Sequence, residues 1–127
     1  MNYRRFFIEP LNSLDFIEND ATADAATKAV LGMISSAVSE ADARRLAEYL
    51  PDPLDVDTLR GNQASPNPLS FDDCVTEIAR QFRIPQTEAE ELTRQVLINT
   101  KAAVGQTTLM TVAESLGRDW RKVLESV

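Results

Sequence analysis

Apolar positions along this chain recur at three- and four-residue intervals, the period of helices that bury one side. Phe71, Cys74, Val75, Ile78, Ala79 and Phe82 make one such stripe. Ser70 precedes it with Asp73 three residues on, a pairing suited to an N-cap. Arg83-Ile84-Pro85 closes it, because the residue before proline is driven out of the α region. The next helix is predicted to open on a capping box at Thr87-Glu88-Ala89-Glu90 and to run to about Val104. Its inward residues would be Ala89, Leu92, Val96, Thr100, Ala103 and Val104. Gly105 and Gly117 bracket a shorter stripe at Leu109, Val112, Ala113 and Leu116, and Trp120, Val123, Leu124 and Val127 make a last short helix.

The first half follows the same plan. Ala26, Ala29, Val30, Met33, Ile34, Ala37 and Val38 form a long stripe. Ser39-Glu40-Ala41-Asp42 caps a helix with Ala43, Leu46, Ala47 and Leu50 inward, which Pro51 and Pro53 end. Leu54 to Leu59 adds another turn or two. The start, with Phe6, Phe7, Leu11, Leu14, Phe16 and Ile17, is predicted helical but interrupted near Pro10. Between the halves lies Gly61-Asn62-Gln63-Ala64-Ser65-Pro66-Asn67-Pro68-Leu69-Ser70, a polar stretch read as an ordered crossover.

Displacing the sequence by 66 residues lays Thr27 on Thr93, Val30 on Val96, Leu31 on Leu97, Ala37 on Ala103 and Val38 on Val104. Ala47, Glu48 and Leu50 likewise fall on Ala113, Glu114 and Leu116. The expectation is one all-α domain over 1–127, a bundle of six to eight short helices in two repeat-like halves, 15–60 and 71–127, with a linker at 61–70.

Three segments, Ala29-Val30-Leu31, Val38-Ser39-Glu40-Ala41-Asp42 and Ala47-Glu48-Tyr49-Leu50-Pro51, resemble the repeat of the bacterial family of unknown function DUF2267. That repeat pairs a helix carrying Ala-Val-Leu with a helix ending in Leu-Pro, twice per domain. In the second half Gly117 stands where the family usually has the proline. The resemblance covers most of 15–127 and implies a small helical bacterial protein, and it brings no activity, cofactor or catalytic residue with it.

Composition narrows the chemistry. There is no histidine, which removes His-ligated metal sites and His-based proton shuttles. A net charge of −7 disfavours non-specific binding to nucleic acid or anionic membranes. No apolar run approaches the roughly 20 residues that span a bilayer. Tyr3-Arg4-Arg5-Phe6-Phe7-Ile8 has the look of a twin-arginine export signal, but Glu9, Pro10, Asp15, Glu18 and Asp20 occupy the place of its apolar region. A lone cysteine forms no internal disulfide and suits a reducing compartment, so a cytoplasmic protein is expected.

Few residues then offer chemistry. Cys74 lies on an apolar stripe and reads as a small buried hydrophobe rather than a nucleophile. Asp52, Asp55 and Asp57 cluster, but the twelfth residue counted from Asp52 is Gln63 and from Asp55 is Pro66, not the glutamate of a calcium-binding loop. No catalytic residue, cofactor or metal ligand is expected. The leading expectation is a non-enzymatic helical interaction or structural module, with a protein partner or self-association. Two alternatives accompany it. Residues 109–127 match helix-turn-helix spacing, which would place Arg118, Arg121 and Lys122 toward DNA. A small molecule or lipid could instead bind between the halves.

Overall fold

The computed structural model describes residues 2–60 and 70–127. Within them helices are the regular secondary structure, with no strand. A π-helical turn, Arg4–Ile8, leads into α1 (Glu9–Asn12). α2 (Asp20–Ala37), α3 (Glu40–Glu48) and α4 (Val56–Arg60) follow. The second half holds α5 (Phe71–Phe82), α6 (Gln86–Val104), α7 (Gln106–Leu116) and α8 (Arg118–Ser126). The expected crossover at 61–70 lies, apart from Ser70, outside the described residues.

Local chemistry accounts for most of the boundaries. Ser39 accepts from the Asp42 N–H at 3.2 Å to start α3. Ser70 and Asp73 form a reciprocal capping box at the start of α5. Arg83 ends α5 in the left-handed conformation, at φ 55°. Gly105 and Gly117, at φ 88° and 114° with ψ 156° and 177°, make one-residue corners in a region open essentially to glycine alone. At the chain start Pro10 has no N–H to give the Phe6 carbonyl, and the helix ahead of it widens so that Glu9 N–H donates to Arg4, five residues back.

Two expectations need correction. α6 starts at Gln86, with Pro85 rather than Thr87 at its N-cap and no side-chain cap. Pro85 is extended, at φ −60° and ψ 154°, and helical backbone begins at Gln86, one residue before Thr87. The stripe assigned to the long first helix is also too narrow. Ala29 and Ala37 are only partly buried, whereas α2 is buried without a break from Val30 to Ser36.

That burial follows from position, because the π turn, α1, α3, α4, α5 and α6 all pack against α2. Gly32 lets α4 come close: a Cβ there would stand 3.1 Å from the Leu59 carbonyl oxygen. Asn99, buried on α6, reaches the Phe7 carbonyl, and Phe7, Ile8 and Leu11 are sealed into the core. On the other side Ser115 donates to Asp42 at 2.6 Å, joining α7 to α3.

α8 closes the end of α5. Trp120 is fully buried with its ring edge-on to Phe71, centroids 5.5 Å apart. Arg94 lies over the Phe71 ring at 5.3 Å. Asp119 accepts from the Phe71 N–H at 2.7 Å, so a residue 48 positions away satisfies an orphan donor at the start of α5.

Candidate functional site

A groove of about 670 Å³ opens between α2 and α5. α2 gives it a floor of small residues, Ala25, Ala29 and Gly32, at the i, i+4, i+7 spacing of one helix face, with Met33 at one end. Phe82 of α5 forms part of the opposite wall. Asp24 and Lys28 stand along the α2 side, and Glu77 and Gln81 along the α5 side. The floor is apolar and the lips carry both signs of charge.

Those lips are held in place. Asp24 accepts from the Tyr3 hydroxyl at 2.6 Å and pairs with Lys28 at 3.0 Å. Burial, together with the hydrogen bond to Asp24, pushes the Tyr3 phenol well above its usual range. Glu77 is paired with Arg80, which holds its carboxyl below the ordinary glutamate value. Glu77 is therefore a fixed anion near neutral pH, poorly suited to proton transfer.

A second hollow of about 280 Å³ opens beyond Phe82, bounded by Phe16, Ile17, Glu18, Thr22, Ile84 and Leu92. Phe82 borders both spaces, so its half-buried ring divides one surface track. The stripe reading had Phe82 and Met33 pointing inward; Met33 is buried and Phe82 half-buried, and the groove that both border was missed. The available signal was the run Ala25, Ala29, Gly32 with charged neighbours at 24 and 28, small residues where a packed helix surface would carry larger ones.

The residues singled out from the sequence lie elsewhere and do not converge. Cys74 is fully buried, and burial pushes its thiol up to about 12. Asp52, Asp55 and Asp57 are exposed around the start of α4, where Asp55 accepts from the Thr58 N–H at 2.7 Å. Among the described residues no three His, Cys, Asp or Glu side chains gather as a metal site would require. Arg118, Arg121 and Lys122 are all exposed on α8, opposite its buried Trp120, Val123 and Leu124. The corner between α7 and α8 is Gly117 alone, where helix-turn-helix units use three or four residues.

Short helices around a central one, with an open groove beside it, define an all-α protein. The sequence profile of one family, described as uncharacterized conserved protein (DUF2267), matches residues 5–123, and the chain belongs to that family. No curated protein and no solved structure matches the chain. No described helix is long and apolar enough to cross a membrane.

Proposed function

We propose that the protein is a non-enzymatic interaction module of the cytoplasm, and that the α2–α5 groove receives an amphipathic helix from a protein partner. The groove itself carries this reading. Ala25 and Ala29 leave room for a helix to come close, Phe82 offers apolar contact, and the lips present both signs of charge to flanking residues. A small molecule or lipid between the halves would occupy the same place. The groove lies open, however, and Asp24, Lys28, Glu77 and Gln81 line it, which suits a segment with its own polar flanks better than an acyl chain.

A photo-crosslinking amino acid at Gln81 tests this inside cells. The expected result is one discrete crosslinked protein, abolished when Ala29→Trp fills the floor. A thermal shift caused by a small metabolite, with no crosslink and with sensitivity to Ala29→Trp, would transfer the groove to the small-molecule reading.

We also read the repeated spacing as duplication of one helical unit. Displaced by 66 residues, the first residues of α2 and α3 land on the first residues of α6 and α7. Thr27 and Thr93, both fully buried, each donate to the carbonyl four residues back, at 2.9 and 2.8 Å. A family alignment in which the two halves align better with each other than with shuffled helices supports duplication, and one in which they do not removes it.

A further inference from the structure

The same displacement lays Asp52 on Arg118 and Asp55 on Arg121, so corresponding places in the two halves carry opposite charge. All four side chains are exposed. Asp57 adds to the acidic side and Lys122 to the cationic side, both exposed as well. Asp119, exposed on the same helix, has its Oδ2 engaged by the Phe71 N–H. Glu125, 3.9 Å from Arg121, is the other acid beside the three cations on α8. Among the described residues no ion pair joins the two sets, and Asp52, Asp57, Arg118 and Lys122 enter none at all.

We propose that the outer face of α8 docks on the acidic corner ahead of α4 in a second copy of this chain. Each chain carries one surface of each sign, so two copies related by a twofold axis exchange both contacts. A chain of net charge −7 repels its own kind at long range. Ionic screening cuts that repulsion off within about 8 Å at physiological salt, so the facing charges decide the contact. Duplex DNA fits the face less well. Its phosphates, about one charge per 1.7 Å of axis, would run past three cations onto an acidic surface. The proposal uses neither the groove nor its occupant, and it stands if that reading fails.

Sedimentation velocity on the full chain tests it, with two charge-reversed variants. Arg118→Glu with Arg121→Glu makes both surfaces acidic. Asp52→Arg with Asp57→Arg makes both cationic while leaving Asp55 on the Thr58 N–H. At physiological salt the weight-average mass of the natural chain is expected to rise from 14.1 kDa toward twice that value as concentration increases. The range is roughly 10 to about 500 µM, because exposed ion pairs are individually weak. In about 0.5 M salt the mass falls back, since screening then acts within roughly 4 Å. Each variant alone stays at the single-chain mass with unchanged circular dichroism, and an equimolar mixture of the two associates again. The milder pair Arg118→Gln with Arg121→Gln weakens association if the glutamates disturb folding. A natural chain that stays single throughout, a variant that associates as well as the natural chain, or a mixture that does not recover overturns the proposal. So does a duplex that binds the natural chain but not the Arg118→Glu, Arg121→Glu variant while the chain alone remains single.

Discussion

Arg83 holds φ 55° and ψ 49° at the end of α5 with an exposed side chain, a conformation that costs most residues about 1 kcal/mol and glycine almost nothing. Arg83→Gly is therefore expected to raise stability by about 0.5–1 kcal/mol in urea denaturation, with the m-value unchanged. Cys74 gives a second residue-scale test. Its buried thiol, pushed up to about 12, is expected to stay unreactive toward a disulfide reagent at pH 8 in the folded chain and to react at once in denaturant. Fast labelling of the folded chain would show that α5 opens locally. Cys74 was legible in the sequence, because its neighbours in the stripe are apolar. The groove-lining roles of Met33 and Phe82 were not. Periodicity says that a residue faces a neighbour, but not whether that neighbour covers the whole side chain.

Helix starts and stops were mostly written locally. Ser39, Ser70, Gly105 and Gly117 all act where the sequence placed them. Thr87 did not, because the extended Pro85 already stands as the N-cap and α6 opens at Gln86. What the sequence hid was capping between distant elements. Asp119 satisfies the Phe71 N–H across 48 residues, and no local pattern announces it. Asp119→Ala is expected to cost about 1 kcal/mol, with faster amide exchange in the first turn of α5. Exchange that quickened in α8 alone would mean that Asp119 matters only to its own helix. The corner residues make a sharper case. Gly105→Ala and Gly117→Ala would each force a side chain into φ 88° or 114°, at about 1–3 kcal/mol in thermal unfolding.

For the whole molecule the acid and alkaline limits of stability follow from a few groups. Asp20 is lowered from 3.8 by hydrogen bonds from Arg4 and then Asn12, Asp55 from 3.8 by the Thr58 backbone, and Glu77 from 4.5 by Arg80. Each contributes stability that is complete above its unfolded value and lost as pH falls through its lower folded value, so the acid decline begins near pH 4 and deepens below it. Cys74 and Tyr3 act in the opposite sense. Both are raised, from 9.0 and 10.0, so their contributions are complete below those values and fade as pH rises above about 9. With no histidine to titrate in between, unfolding free energy measured from pH 5 to 8 is expected to be nearly level. Tyr3→Phe should remove part of the alkaline decline and leave the acid side in place. A bell centred near pH 6.5 would contradict this assignment.

The all-α class was open to sequence reasoning because every apolar stripe had helical spacing. The central place of α2 was not, since a helix packed on many sides reads as a stripe plus scattered small and polar residues such as Gly32, Ser35 and Ser36.

The seating of Phe7, Ile8 and Leu11 beneath α6 has a consequence for biosynthesis. Those residues leave the ribosome long before residues 86–104 are made, an interval of roughly 4 to 20 s at ordinary elongation rates. Through that interval α2 is available to cover only part of these apolar side chains, so holdase chaperones should engage the nascent chain before α6 has emerged and let go afterwards.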